Sequence, residues 1–243
     1  MSSIIDFHSH ILPGMDDGSK SVEMSVKMLD REAEQGIRKV IATPHFYPWK
    51  EHPEQFLARR DAAASRLQKA MEMQNRLPEV IMGAEVRYFS GMSHSDWLPA
   101  LTIGEKSCIL IEMPDVPWTD KMLREVSDIY ENHGLIPVIA HVDRYVGLFR
   151  GSGIPERLAG LPVLVQASAS FFLKPGTGWL AMKMLRKQQI HLLGSDCHNL
   201  TDRPPNLGPA LERIRKKLGD EAVAQIQQYQ KLTDNSVNSF IEE

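Results

Sequence analysis

The sequence predicts an α/β fold built on a parallel β-sheet. Short apolar runs rich in valine and isoleucine alternate with longer amphipathic stretches, as expected for strands joined by helical crossovers. The strand-like runs are almost continuously apolar, which indicates strands buried on both faces, in a closed barrel or a doubly wound sheet. A chain of 243 residues can enclose one large core, so we expect a single domain over residues 1–243.

The period of the apolar residues predicts the individual elements. Short apolar runs place seven strands at residues 3–7, 39–44, 79–86, 109–113, 136–141, 163–167 and 190–195. A spacing of three to four predicts helices that include residues 21–35 and 54–74, and three more after the last strand, at 206–218, 220–230 and 233–242. Helix ends are expected at Gly36, Gly134 and Gly219.

Composition excludes several classes of protein. The net charge is -3 and 42% of the residues are hydrophobic, a balance that does not favour nucleic acid or a membrane surface as the main partner. No apolar run approaches the roughly 18 to 20 residues that span a bilayer. The first residues lack a secretory apolar segment, so a cytoplasmic location is expected. The two cysteines, Cys108 and Cys197, suggest neither a disulfide framework nor a thiolate zinc site.

Six of the predicted strands end in a side chain that can bind a metal ion. These residues are His8 and His10, His45, Glu85, Glu112, His141, and Asp196 with His198. In a β/α barrel the carboxyl ends of the strands converge on one face, so the eight side chains are expected to meet. The other histidines, which we interpret as surface or capping residues, are His52, His94, His133 and His191.

A buried cluster of imidazoles and carboxylates predicts bound cations, because the same groups would be costly to bury alone. Nitrogen and oxygen ligands without thiolate suit manganese, iron or zinc, and do not distinguish among them. Eight ligands are too many for one ion, and a carboxylate such as Glu85 could bridge two ions roughly 3.5 to 4 Å apart. The nearby Asp16-Asp17-Gly18-Ser19 is typical of a turn with a helix N-cap.

Several motifs together resemble the polymerase and histidinol phosphatase (PHP) superfamily. More narrowly, the chain is similar to the manganese-dependent tyrosine-protein phosphatases of bacterial capsule and exopolysaccharide operons. The resemblance rests on Asp6-Phe7-His8-Ser9-His10, Asp16-Asp17-Gly18, Thr43-Pro44-His45, Gly83-Ala84-Glu85, His141-Val142-Asp143-Arg144-Tyr145, and Ser195-Asp196-Cys197-His198 with Arg203-Pro204-Pro205.

The resemblance implies a distorted seven-stranded TIM-like barrel with extra C-terminal helices, carrying three divalent metal ions, manganese in the family. The implied ligands are His8, His10, Glu85 and Asp196 for the first ion, Glu85, Glu112 and His141 for the second, and Asp17, His45 and His198 for the third. On this reading Asp17 is a ligand and not a cap. Arg144 and Arg203 match the arginines that contact phosphate. The implied substrate is a phosphotyrosine protein, a tyrosine kinase that governs polysaccharide export.

One departure from the family pattern lies beside the fifth-strand histidine, where Val142-Asp143 replaces the usual Pro-Glu. The shorter acid puts a supporting role of that carboxylate in doubt.

Phosphoester hydrolysis needs such a site. A phosphomonoester carries nearly two negative charges at neutral pH, which repel hydroxide. Divalent cations neutralise these charges and lower the pKa of a bound water toward about 7, while arginines bind the phosphoryl oxygens in pairs.

Other functions remain open on the sequence. A small phosphomonoester such as histidinol phosphate is one alternative substrate. An amidohydrolase is another alternative, although these enzymes commonly bridge their ions with a modified lysine on strand four, where this chain has Glu112. A barrel that only binds and regulates would be expected to lose ligands. Cys197 and Arg203 fit the C-x5-R spacing of cysteine phosphatases, but no glycine lies between them to cradle phosphate.

Three aromatic residues follow His45 directly, in Phe46-Tyr47-Pro48-Trp49-Lys50. They predict either a platform for the substrate's phenyl ring or flanking peptide, or a loop that packs its own side chains.

Overall fold

The computed structural model describes residues 4–104, 107–148 and 153–232 and shows an α/β fold. Its strands are β1 (Ile5–Ser9), β2 (Lys39–Ala42), β3 (His45–Phe46), β4 (Glu79–Met82), β5 (Glu85–Arg87), β6 (Cys108–Glu112), β7 (Ile136–Ile139), β8 (Leu164–Ser168) and β9 (Leu192–Gly194). Its helices are α1 (Val22–Glu34), α2 (Pro53–Met71), α3 (Asp120–His133), α4 (Val142–Leu148), α5 (Ile154–Leu158), α6 (Ala169–Leu173), α7 (Gly178–Arg186), α8 (Leu207–Leu218) and α9 (Asp220–Leu232). The helix predicted at 233–242 and the first residue of the strand predicted at 3–7 lie outside the described residues.

All the strand pairs of the described residues are parallel, as the alternation of strands and helices predicted. They form a three-stranded sheet, in the order β1-β2-β4, and a six-stranded sheet, in the order β3-β5-β6-β7-β8-β9. Residues after β9 return to β1, because Asp196 donates its backbone N–H to His8 O at 2.8 Å and His10 donates to Cys197 O at 2.9 Å. The two sheets together therefore form one curled parallel sheet, in which β1 and β9 are adjacent.

Two predicted strands are each interrupted in the structure. The strand predicted at 39–44 is observed as β2, which ends at Ala42, and β3 follows beyond the predicted range; the strand predicted at 79–86 is observed as β4 and β5. The breaks lie at Thr43-Pro44 and Gly83-Ala84. Pro44 has no N–H to donate to a ladder, although its carbonyl still accepts from Glu85 N at 3.0 Å. These breaks make His45 the first residue of β3 and Glu85 the first residue of β5.

Most of the strands are buried on both faces, as their apolar runs predicted, whereas β4 is partly exposed. All five residues of β1 and of β6 are buried. One hydrophobic cluster combines strand residues with helix side chains such as Leu29 and Phe56. A second cluster draws Phe7, Ile41, Leu110, Val138 and Leu192 from β1, β2, β6, β7 and β9. Leu164 of β8 also belongs to it, and because six strands contribute, this second cluster lies on the inner face of the curled sheet.

Helix ends largely match the sequence signals. Ser21 caps α1 by accepting a hydrogen bond from Met24 N, and Thr119 caps α3 in the same way. Gly134 ends α3 with φ of 63°, a left-handed conformation that favours glycine. Among the described residues, no helix is both long and apolar enough to cross a membrane.

The histidines predicted at the surface or at caps differ in their surroundings. His52 and His94 are exposed, and His133 Nε2 donates to Ser93 O at 3.0 Å at the end of α3. His191 is wrongly predicted, because its ring packs against Tyr229 and its Nδ1 accepts from Val165 N at 2.9 Å. Burial lowers the pKa of His191 to about 4, so this imidazole is a neutral structural group.

Candidate metal centre

The structure brings all nine predicted ligands to the carboxyl ends of the parallel strands. They lie in β1, β3, β5 and β6 or in the loops that follow β1, β7 and β9. The buried members are His8, His10, Glu85, Glu112, His141, Asp196 and His198. His45 is partly buried, and Asp17 is exposed at the rim.

The first group surrounds His8 in β1 and His10, which directly follows β1. The Nε2 atoms of His8 and His10 lie 3.1 Å apart, and each is 3.4 Å from Glu85 Oε2. Asp196 Oδ1 is 3.6 Å from His8 Nε2 and 3.5 Å from His10 Nε2. Neighbouring ligands about 2.1 Å from one cation lie roughly 3 to 3.5 Å apart. These separations therefore fit a shared metal ion.

Hydrogen bonds at the far side of the two imidazoles orient them. His10 Nδ1 lies 2.8 Å from Asp16 Oδ2, and His8 Nδ1 lies 3.3 Å from Gln166 Oε1. Since both partners are acceptors, each Nδ1 carries a proton, so in a neutral ring Nε2 presents the lone pair that a cation would bind. Two lone pairs facing each other at 3.1 Å repel unless a proton or a cation lies between them.

The second group connects Glu85 with Glu112. His141 Nε2 lies 2.8 Å from Glu85 Oε1 and 3.8 Å from Glu112 Oε1. His45 Nδ1 approaches the same carboxylates, at 2.9 Å from Glu85 Oε2 and 3.8 Å from Glu112 Oε2. Glu85 thus lies between the first and the second group, where a bridging carboxylate was predicted.

The third group is at the rim. Asp17 Oδ1 lies 3.5 Å from His45 Nε2 and 3.4 Å from His198 Nε2, and His10 is close enough to join these three side chains. The N-cap interpretation of the acid pair is wrong, because Ser21 caps α1. Asp16 instead accepts from His45 N at 3.0 Å in addition to its contact with His10.

The charges of the cluster fit a metal site. Burial disfavours ionised Glu85, but the neighbouring imidazoles of His8, His10, His141 and His45 outweigh it and hold the pKa of Glu85 well below its usual range. Among the described residues, Glu85 Oε2 and Glu112 Oε2 are buried without a hydrogen bond of acceptable geometry. A cation bound between these two oxygens would compensate the cost of their burial. The donor set of imidazole nitrogen and carboxylate oxygen fits divalent manganese, iron or zinc.

The two predicted arginines lie against the ligands. Arg144 Nη1 donates to Glu112 Oε1 at 2.6 Å. Arg203 Nη2 donates to Asp196 Oδ2 at 2.5 Å, and its Nη1 lies 2.9 Å from His198 Nε2. Both arginines line one polar cleft of about 400 Å³, together with His141 and Asp196. The cleft therefore joins candidate metal ligands to two guanidinium groups that can bind an anion.

Gln166 is a polar residue of the site that the sequence analysis missed. It is fully buried in β8, the one predicted strand without a ligand at its end. Its Oε1 accepts from His141 N at 2.6 Å and faces His8 Nδ1. One amide therefore positions ligands of two groups. The available signal was a glutamine inside an otherwise apolar strand.

Asp6 connects β1 to the loop after β9. Its Oδ1 accepts from Ser195 N at 2.7 Å and from His8 N at 3.3 Å. The two strands are close here, since a Cβ added to Gly194 would lie 2.5 Å from His8 Cβ. Asp6 and the missing side chain at Gly194 thus hold the loop with Asp196 and His198 against β1.

Asp143 is the residue that departs from the family pattern. Its carboxylate hydrogen-bonds to the backbone and to none of the candidate ligands among the described residues. Its Oδ1 accepts from Ser168 N at 2.8 Å, where β8 passes into α6. Burial raises the pKa of this carboxyl. Asp143 therefore anchors the start of α4, which carries Arg144 and directly follows His141.

Two candidate ligands have strained backbone conformations. His141 has φ of 31° and Asp196 has φ of 53°. Side chains other than glycine rarely adopt this left-handed region, and such strain is concentrated at functional sites. Both residues directly follow strands of the curled sheet.

Comparison with known proteins identifies the family. The model of the family described as capsular polysaccharide synthesis, CpsB/CapC, matches residues 4–234. The tyrosine-protein phosphatase CpsB of Streptococcus pneumoniae is 30% identical over 226 residues, which cover 89% of this chain and 91% of that protein. The resemblance inferred from the motifs is thereby confirmed.

Solved structures agree with the fold. A crystal structure from a study of YwqE from Bacillus subtilis and CpsB from Streptococcus pneumoniae, described as unique metal-dependent tyrosine phosphatases, matches with a TM-score of 0.84 and 26% identity, over 96% of this chain and 95% of that chain. The phosphotriesterase homology protein of Escherichia coli, solved with phosphate in its active site, matches with a TM-score of 0.51 and 12% identity, over 92% of this chain and 95% of that chain, and supports the fold alone. Motifs, geometry and comparisons agree that this chain belongs to the CpsB/CapC family of capsular polysaccharide synthesis.

Proposed function

We propose that this protein is a metal-dependent phosphatase that removes the phosphoryl group from phosphotyrosine in proteins. The observation that carries the proposal is the polar cleft in which Arg144 and Arg203 lie directly against candidate metal ligands. Relatives that the chain matches over most of their length are tyrosine-protein phosphatases, and the similar solved structure is described as metal-dependent.

We propose three divalent ions, with manganese as the first candidate. His8, His10, Glu85 and Asp196 would hold the first, Glu85, Glu112 and His141 the second, and Asp17, His45 and His198 the third. When bound, such ions neutralise the charge of the ester and supply hydroxide from water near neutral pH.

The protein's own side chains account for substrate binding. Arg144 and Arg203 each have five N–H donors in a planar fork, so each can contact phosphoryl oxygens while it holds a carboxylate. Asp16 and Gln166 keep the protons of His10 and His8 on Nδ1. The guanidinium groups thus bind the phosphate while the ligands stay fixed. A phenolate leaving group has a pKa near 10, so it needs less assistance than an alkoxide.

We propose that residues 1–243 form one catalytic domain. We count β2 with β3, and β4 with β5, as two interrupted strands, which gives the distorted seven-stranded barrel of the PHP fold. The hydrogen bonds between β1 and the residues after β9 support closure. The proposed partner is the phosphorylated tail of a bacterial tyrosine kinase, which the family's part in capsular polysaccharide synthesis supports. The cytoplasmic location stays a prediction.

Hydrolysis assays test the activity. With manganese present, we expect release of phosphate from a phosphotyrosyl peptide with kcat/KM at least about tenfold above that for histidinol phosphate. Chelation should abolish turnover, and added manganese should restore it. Faster hydrolysis of histidinol phosphate would favour the small-substrate alternative. Hydrolysis of an amide or lactone without any phosphoester turnover would favour the amidohydrolase alternative, and full metal content without any turnover would favour a regulatory protein.

Replacing Cys197 by serine separates this proposal from a cysteine phosphatase. Cys197 is fully buried, and burial raises the pKa of its thiol well above the usual range, so it is no thiolate nucleophile. We expect Cys197→Ser to retain kcat within about threefold, measured with p-nitrophenyl phosphate on metal-loaded protein. Loss of turnover at normal metal content and normal folding would instead identify Cys197 as the nucleophile.

A further inference from the structure

The end of β3 and the loop that follows it have an inward and an outward part. Phe46 is fully buried and packs edge-on against Phe56 and Trp97, with ring centroids 5.1 and 5.5 Å away. The packing interpretation is thus correct for Phe46. Trp49, in contrast, is 63% exposed, and Tyr47 is only partly buried.

Tyr47 and Trp49 extend a row of rings that begins at a candidate metal ligand. The ring of Tyr47 stacks on His45, with centroids 5.2 Å apart and planes inclined by 28°. Trp49 follows at 5.4 Å from Tyr47. We call His45, Tyr47 and Trp49 the aromatic row. It leads from the metal centre to the protein surface.

Tyr47 lies between the metal centre and the surface, because its ring stacks on the candidate ligand His45 and is itself only partly buried. On the outer side, Lys50 Nζ lies 4.0 Å from the centroid of the same ring and adds a positive charge at the surface.

We propose that the aromatic row binds the polypeptide that flanks the phosphotyrosine, and that Trp49 contacts an apolar or aromatic side chain of this flank. The inference rests on the proposed function and adds a specificity-determining residue to it. Tryptophan offers a large contact area at little cost in conformational entropy. The large apolar side chains exposed among the described residues are Trp49, Met73, Val116 and Trp179. Of these four side chains, Trp49 is connected by ring contacts to a candidate ligand, His45.

The dimensions set the position of the flanking residue. The two steps of the row place the indole of Trp49 no more than roughly 11 Å from the imidazole of His45, the span of about three extended residues. The apolar side chain is therefore expected within three residues of the phosphotyrosine. Lys50 favours a flank that also carries a carboxylate.

The test compares Trp49→Ala with Trp179→Ala, a matched change at a tryptophan that is 65% exposed on α7. The substrates are a phosphotyrosyl peptide with leucine or phenylalanine within three residues, the same peptide with glycine there, and p-nitrophenyl phosphate. We expect Trp49→Ala to raise KM for the apolar peptide about three- to tenfold with kcat unchanged. The glycine peptide, p-nitrophenyl phosphate and Trp179→Ala should show no such change. Trp49→Phe should restore much of the affinity.

Three results would overturn the inference. An equal rise of KM for all substrates would mean that Trp49 shapes the centre generally, and unchanged KM for every substrate would mean that it binds no peptide. In both cases the proposed function would stand. Wild-type protein that hydrolyses no phosphoester with manganese bound would overturn the proposed function and this inference together.

Discussion

Replacing Glu85 by glutamine is expected to abolish turnover and to reduce the metal content of the purified protein. The carboxylate lies within 3.4 Å of imidazole nitrogens of His8, His10, His45 and His141, and glutamine keeps its shape but removes its charge. We expect kcat/KM to fall at least about a thousandfold, equivalent to roughly 4 kcal/mol. Hydrolysis of p-nitrophenyl phosphate measures turnover, and mass spectrometry measures the metal content. Circular dichroism checks that the variant is folded.

A buried glutamate outside the cluster provides the control. Glu125 in α3 accepts hydrogen bonds from Tyr88 Oη and Gly91 N and is 9% exposed. Glu125→Gln should lower the melting temperature and leave the metal content and kcat of the folded protein unchanged. A Glu85→Gln variant with normal metal content and turnover would contradict the assignment of Glu85 as a shared ligand.

Replacing Gln166 by leucine is expected to weaken metal binding although Gln166 is itself no ligand. Its Oε1 accepts from His141 N and faces His8 Nδ1, so leucine leaves one buried N–H unpaired and frees the His8 ring to turn. Loss of such supporting contacts typically costs about 10- to 100-fold in metal affinity. Calorimetric titration of manganese into the metal-free protein measures this loss directly, independently of catalysis.

The matched control for Gln166→Leu is Gln230→Leu. Gln230 is also a buried glutamine that holds β1, since its Nε2 donates to Ile5 O at 2.7 Å and its Oε1 accepts from Ile5 N at 3.2 Å. The control variant should unfold at a lower temperature but titrate with manganese like the wild type. Equal losses of affinity in both variants would show that Gln166 acts through general stability and not by positioning His8 and His141.

The order of the chain was sufficient to predict where the ligands meet. Parallel strands end at one edge, so each imidazole or carboxylate that follows an apolar run reaches the same place. This argument placed His8, Glu85 and His141 together without any knowledge of the curl of the sheet. The prediction that the side chains of His8 and His10 point the same way is also confirmed, since their Nε2 atoms lie 3.1 Å apart.

Other features depend on tertiary contacts that local patterns do not encode. The roles of Asp16 and Gln166 follow from acceptors that lie opposite Nδ1 atoms of residues elsewhere in the fold. The Asp-Asp-Gly-Ser sequence has the composition of a cap, and only the position of Ser21 shows which residue caps α1. The breaks at Thr43-Pro44 and Gly83-Ala84 lie opposite each other, between the β2–β4 pair and the β3–β5 pair, so they depend on how the strands pair.

The left-handed backbone at His141 and Asp196 limits how far this protein can be made more heat-resistant. Glycine adopts the left-handed region freely, and asparagine adopts it at a lower cost than most residues. Either exchange would therefore relieve the strain at His141 or Asp196 and raise the free energy of unfolding. The same exchanges would remove an imidazole and a carboxylate from the centre. Selection for thermal stability and selection for catalysis therefore oppose each other at these two positions. A stabilised variant has to obtain its gain from helix caps, loops and surface charges remote from both.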